Sequence, residues 1–140
     1  MMSSSPSSEQ KLQTVDEPLS AAVAGIKQAA FDYYPRLERV RSFVKSRLSE
    51  HISLRGAADV AAYEPTYFCS LFHRRVGIPF TRWLTITRVS RAAELLRSKD
   101  YPIWEVAHMV GFRSVRAFER AFKSVALSSP MRYKNAARPC

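Results

Sequence analysis

Two arrangements in this sequence have residue types that could do covalent or metal chemistry. Cys69 and His73 stand four residues apart in a stretch of helical periodicity, so both would project from one face and could share a metal ion. A site needs three or four ligands, and the other candidates, His51, His108 and Cys140, follow no pattern around that pair. Ser42-x-x-Lys45 has the spacing of a serine nucleophile and its lysine. None of the companion motifs follows, and the pair falls on the solvated side of an amphipathic helix. There is no phosphate-cradling glycine loop and no pair of catalytic carboxylates. The expectation is a protein that is not an enzyme, holds no metal and uses no cofactor.

Arginine carries the stronger signal. The 140 residues hold 22 Lys+Arg against 12 Asp+Glu, a net charge of +10. The excess is uneven: residues 1–34 have Lys11 and Lys27 against Glu9, Asp16, Glu17 and Asp32, whereas residues 35–140 hold the other 20 basic and 8 acidic groups, so +12. Sixteen of those 20 are Arg, whose planar fork suits phosphate oxygens and guanine edges. Such a segment should attract a polyanion. The longest apolar run, Ala21 to Ile26, is far short of the roughly 20 residues that span a bilayer, so no membrane partner is expected. Met1 to Pro6 lacks the basic start and apolar stretch of a secretion signal, and two cysteines make no disulfide framework. A cytoplasmic setting follows as the expectation.

The elements that must position these arginines are helical, because no stretch alternates with period 2 for long enough to make a strand. The segment 1–16, rich in Ser, Gln and Pro, reads as a disordered tail. Ser20 to about Tyr33 reads as a possible short helix with a thin apolar stripe weakened by Gly25. Pro35 opens a clear amphipathic helix through Leu37, Val40, Val44 and Leu48. An internal repeat follows. Leu54, Ala57, Ala58, Ala61 and Ala62 match Ile103, Val106, Ala107, Val110 and Gly111 at an offset of 49; Phe68, Phe72 and Arg82-Trp83 match Phe118, Phe122 and Arg132-Tyr133 at 50. Each half is then a short helix, a tight turn and a second helix buried through Phe-x-x-x-Phe, with the second turn one residue longer. Small residues in the first helix let the second cross closely, as in a helix-turn-helix. Gly111 supplies the left-handed backbone of the turn, and Ala62 is a poorer substitute at the matching place. Between the halves, Pro79 to Ser98 reads as one helix of roughly 30 Å, near the length of about 34 Å of one DNA turn.

Residues from about 37 to 134 resemble the DNA-binding domain of AraC/XylS-type regulators. The resemblance rests on Ile103-x-Glu105-Val106-Ala107-x-x-Val110-Gly111-Phe112, Phe118-x-Arg120-x-Phe122-Lys123 and Pro130-x-x-Tyr133. Upstream it continues through Leu54-x-x-x-Ala58, Phe68-x-x-x-Phe72, Val76-Gly77 and Arg88-x-x-x-Ala92-x-x-Leu95-Leu96. It implies an all-α fold of about seven helices, with two helix-turn-helix subdomains joined by a long central helix. The expected organisation is a tail at 1–34, a first subdomain at 35–78, a linker helix at 79–99, a second subdomain at 100–134 and a tail at 135–140. The family usually has Ser where Glu64 stands, a frequent Gly where Leu127 stands and a frequent aromatic where Ala117 stands. Glu64 would cap poorly and be repelled by phosphate.

The first recognition helix is expected over Pro65 to Val76, with Tyr67, Phe68, Leu71 and Phe72 buried and Thr66, Cys69, Ser70 and His73 facing out. The family's base-reading positions fall on Thr66, Cys69 and Ser70, short residues suited to thymine methyls and water-bridged edges. The second is expected over Ser114 to Val125, capped by Ser114. Val115, Arg116, Glu119 and Arg120 face out, where the family places its groove contacts. Arg116 or Arg120 can grip guanine, and Glu119 can accept from cytosine; equally, the two arginines could touch phosphate or pair with Glu119. Candidate phosphate contacts are His73, Arg74, Arg75, Arg82, Arg113, Ser114, Lys123, Arg132 and Lys134. Arg88 occupies a position that is structural in the family.

The resemblance implies a bacterial, nucleoid-associated transcription regulator, with activation the expected sign. It would bind double-stranded DNA as a monomer, with recognition helices in successive major grooves, and contact RNA polymerase. The alternative is a non-reading interaction protein that antagonises a related regulator or docks on the polymerase. No small-molecule inducer is expected, since the segment 1–34 is too short to bury a pocket of roughly 300 Å³. Deleting residues 1–34 is expected to leave DNA affinity nearly unchanged.

Overall fold

The chain, described from Ser8 to Ala137 in a computed structural model, with side chains from Val15, forms nine α-helices and no strand among the described residues. They are α1 (Ser8–Ala24), α2 (Ala29–Tyr33), α3 (Pro35–Ser46), α4 (Leu54–Val60), α5 (Pro65–Val76), α6 (Phe80–Ser98), α7 (Ile103–Met109), α8 (Val115–Ala126) and α9 (Pro130–Ala137). Seven of them, α3 to α9, lie in the region of resemblance. None of the described helices is long and apolar enough to cross a membrane.

The repeat folds twice. In the first half, α4 meets α5 through the fully buried Ala57, Ala58 and Ala61, and Phe68 and Phe72 join Phe80 and Trp83 in an aromatic cluster with ring centroids 5.4–5.8 Å apart. In the second, Phe118 and Phe122 stack in series with Phe112 and Tyr133 at 5.4–5.7 Å. Edge-to-face rings give each cluster directional packing beyond area burial. The turns hold four residues between α4 and α5 and five between α7 and α8, and each bends through one left-handed residue, Ala62 (φ +58°) or Gly111 (φ +95°). Helix α6, 19 residues and so about 28 Å long, is buried on several sides because both halves pack on it.

Arg88 fastens the halves together. It is 7% exposed, and its guanidinium donates to the carbonyls of Leu48 (2.7 Å), Glu50 (3.2 Å) and Val110 (2.6 Å), joining the end of the α3 segment to the turn after α7. Its structural role, expected from the resemblance, has a physical cause: three carbonyls that end helical segments receive a fixed cation. Gly111 makes room for it, since a Cβ there would lie 1.5 Å from Arg88 Nη1.

The N-terminal segment departs from its reading as a tail. Residues from Ser8 are helical, and α1 packs against α8, α9 and α6, with Asp16 accepting from the Tyr133 hydroxyl and lying 3.6 Å from Arg97. Burial and the Asp16 bond both push the Tyr133 hydroxyl's pKa upward. Residues 1–7 lie outside the described part. The expected single helix over Ser20–Tyr33 is broken at Gly25–Gln28, where Lys27 N–H donates to the Val76 carbonyl (2.9 Å). The break lets Ile26 and Phe31 turn inward, and Phe31 is 0% exposed between Phe72 and Trp83. Helix α3 stops at Ser46, so Leu48 lies in the following turn. At the other end α9 continues to Ala137, past the expected start of a tail at 135; residues 138–140 are outside the described part.

Between the α1–α2 joint, α3 and α6 lies an open cleft of about 570 Å³, lined by Val23, Ile26, Lys45, Trp83, Ser90 and Met109 among others. Most of its wall comes from α3, α6 and α7, so its volume is not limited by the length of the segment 1–34.

Candidate nucleic-acid interface

Helix α5 starts at Pro65 behind Glu64, whose two carboxylate oxygens accept the Thr66 and Tyr67 amides at 3.0 Å each. Those two backbone bonds hold its carboxyl below the ordinary glutamate range. The expectation of a poor cap is thus corrected: the longer side chain curls back and satisfies two N–H groups that have no helical partner. Gly77 closes α5 in the left-handed region (φ +98°), its N–H donating to the His73 carbonyl.

Phe68, Leu71, Phe72 and Val76 form the inner stripe of α5. Tyr67, expected among them, is 51% exposed and rests on Tyr63, with centroids 5.2 Å apart. At about 100° per residue it sits roughly a quarter-turn from Thr66, on the flank of the helix rather than at its core. Thr66, Ser70 and His73 are exposed and Cys69 is half-buried, so these four side chains share the outer face. Among the described residues no group of three or more His, Cys, Asp and Glu side chains converges.

Helix α8 starts behind Ser114, whose hydroxyl accepts the Ala117 amide at 3.1 Å. Its inner stripe is Phe118, Phe122, Val125 and Ala126; Val115, Arg116, Glu119, Arg120 and Lys123 are exposed. Among the described residues no hydrogen bond or ion pair ties Arg116, Glu119 or Arg120, so the intrahelical pairing with Glu119 does not form. The outer face of α8 carries two arginines, and that of α5 carries short, nearly neutral side chains.

The remaining cations divide. Arg74, Arg113, Lys123 and Arg132 are exposed, with no acidic partner among the described residues. Arg75 stacks on the Tyr34 ring at 4.7 Å. Arg82 reaches across to Ser124, its guanidinium 3.3 Å from the hydroxyl and 3.5 Å from the carbonyl, which ties the start of α6 to the end of α8. Lys134, expected as a phosphate contact, is committed elsewhere: its ammonium lies 2.8 Å from both the Asp100 carboxylate and the Tyr101 carbonyl, and its side chain is largely covered. The stack beside the start of α5 was not expected from the sequence. Arg36 stacks on Tyr63 at 4.7 Å, beside α5. Arg36 belongs to the run Tyr33-Tyr34-Pro35-Arg36, and periodicity orients side chains only within a helix, whereas this run spans a joint.

With this geometry in place, comparison with known proteins is informative. A helix-turn-helix domain family matches residues 57–136. The HTH-type transcriptional regulator YijO of Escherichia coli K12 is 30% identical over 97 residues, 69% of this chain and 34% of its own length. The chain spans about a third of the length of the curated relatives it matches. Among solved structures, the DNA-binding domain of AdpA in complex with a target DNA superposes with a TM-score of 0.67 and 32% identity, over 71% of this chain and 93% of that one. A transcriptional regulator from Chromobacterium violaceum described by its AraC-type DNA-binding domain shares the fold, with a TM-score of 0.67 at 20% identity over 76% of this chain and 96% of that one.

Proposed function

Because the chain belongs to the AraC-type helix-turn-helix family, we propose that it is a sequence-specific double-stranded DNA-binding transcription regulator whose α5 and α8 enter successive major grooves. The observation that carries this reading is the pair of capped, outward helices α5 and α8, repeated on either side of one rigid α6. Arg116 and Arg120 supply guanine-edge or phosphate contacts, Glu119 a cytosine acceptor, and Thr66, Cys69 and Ser70 short contacts to thymine methyls and water-bridged edges. His73, Arg74, Arg75, Arg113, Ser114, Lys123 and Arg132 fix register on the backbone. Arg82 and Lys134 instead brace the protein. The chain binds as a monomer in the bacterial nucleoid and acts through RNA polymerase.

The non-reading alternative loses part of its motive, since Glu64 is an effective cap. Selection of bound duplexes from a random library tests the proposal. The expected product is one asymmetric site of about two helical turns, because the two outer faces differ. Recovery of no motif, or of a perfect palindrome with one half per protomer, would refute it.

A further inference from the structure

The flank of α5 carries a surface that neither recognition face accounts for. From Thr66, Tyr67 lies about 100° around the helix, whereas Arg75 lies about 180° around, turned away from the outer face. On the Tyr67 flank Arg36 stacks on Tyr63 and Tyr63 on Tyr67, which is 51% exposed. Among the described residues Arg36 has no carboxylate partner. Stacking on a ring fixes the plane of a guanidinium while leaving its N–H edges free, so this cation is oriented before any ligand arrives. The Tyr67 hydroxyl adds a neutral donor on the same flank.

When a helix lies in the major groove, its outer face meets base edges and its flanks meet the phosphates of the groove walls. We propose that the start of α3 forms an additional DNA contact, a phosphate-binding strip of Arg36 and Tyr67 that extends the interface past the half-site read by α5. This rests on the DNA-binding reading given above. The strip reads no base, since its donors sit on the groove wall; it adds affinity and fixes the angle of α5.

The test uses the full chain and a duplex recovered by the library selection, at full length and trimmed at the end occupied by α5. Wild type, Arg36→Gln and Tyr67→Phe are titrated over a salt series, with thermal melts to verify folding. Arg36→Gln should flatten the slope of log K against log salt by about 0.9, equivalent to about fivefold weaker binding at about 0.15 M salt. Tyr67→Phe should weaken binding less and leave the slope unchanged. On the trimmed duplex all three should bind alike. An unchanged slope for Arg36→Gln on the full duplex, or a deficit that persists on the trimmed one, would overturn the strip. If wild type itself recovers no specific duplex, the underlying DNA-binding reading falls, and the strip with it.

Discussion

Replacing Phe31 by Ala should cost about 4 kcal/mol of folding stability. Its ring is 0% exposed, 5.3 Å from Trp83 and 6.0 Å from Phe72, with the Arg41 guanidinium 5.1 Å from its centroid. Truncating a fully buried phenylalanine costs roughly 3–5 kcal/mol, including the cavity left by incomplete relaxation. Against a total of about 5–15 kcal/mol for a domain, that is a large fraction. For a chain of this size it corresponds to a fall of roughly 12 °C in Tm. Tyr33→Ala, two residues away but 76% exposed, should shift stability by no more than about 0.5 kcal/mol. Thermal melts followed by circular dichroism, with urea midpoints alongside, measure both. Equal shifts in the two variants, or a fall under about 3 °C for Phe31→Ala, would show that α2 is not part of the core. The consequence reaches further, because a deletion of residues 1–34 also removes Leu19 and Ile26. The expectation that such a deletion leaves DNA affinity unchanged is therefore withdrawn. A truncated chain that lost binding would be reporting damage to the core of both subdomains, since α1 packs on α8 and α9 and α2 on the first half.

Two exposed residues are held in the left-handed region against their side chains, Ala62 (φ +58°) and Leu127 (φ +56°, 70% exposed). That conformation costs about 1–2 kcal/mol without glycine, while glycine gives back about 0.5–1 kcal/mol through chain entropy. Ala62→Gly and Leu127→Gly should each raise stability by about 0.5–1 kcal/mol in urea titrations, and a drop in either would refute the assignment of strain. Gly111→Ala should behave oppositely, losing about 3 kcal/mol or more, since its Cβ would also press within 2.2 Å of the Leu48 carbonyl oxygen. A Gly111→Ala variant as stable as wild type would remove the basis for the Arg88 fastening. For Glu64, the carboxylate is the form that accepts two amides and its pKa is lowered by them. Its contribution is complete above the ordinary glutamate value and is lost as pH falls through the lowered one, so the stability gap between wild type and Glu64→Gln should narrow on acidification below about 4.5. A gap constant from pH 7 to 3 would contradict charged capping.

The fold was legible where a pattern repeats locally. Phe68 and Phe72 against Phe118 and Phe122, the alanines of α4, and Gly111 opposite Ala62 define two units and their turns without any long-range information. The N-terminal segment was not legible, because its evidence is distributed. Leu19, Ile26 and Phe31 are too widely spaced to make a stripe, and the partners of Phe31, Phe72 and Trp83, lie far along the chain on other helices. Glu64 misled for a different reason: side-chain propensities at a helix start average over many backbones, whereas here the chain before Pro65 lets one carboxylate bond two amides.

The outer faces of α5 and α8 were readable from helical period alone, but the fate of each cation was not. Lys123 and Lys134 are indistinguishable by composition, yet Lys123 is exposed on α8 while Lys134 is held by Asp100 across the fold. The same selection runs through the basic set. Arg41 pairs with Asp32 and Glu38, Arg91 with Glu94 and Arg97 with Asp16, and Arg88 spends its charge on carbonyls. The number of cations free to meet a polyanion is therefore well below the 20 Lys and Arg that residues 35–140 hold. Exposed cations without an acidic partner among the described residues stand around α8, at Arg113, Arg116, Arg120 and Lys123, and at α5, with Arg36, Arg74 and Arg75, and also on α3, α4 and α9, at Arg39, Arg55 and Arg132. Counterion release scales with phosphates neutralised rather than with net charge, so the salt dependence of binding should follow those named side chains and be blind to Arg41, Arg88, Arg91 and Lys134.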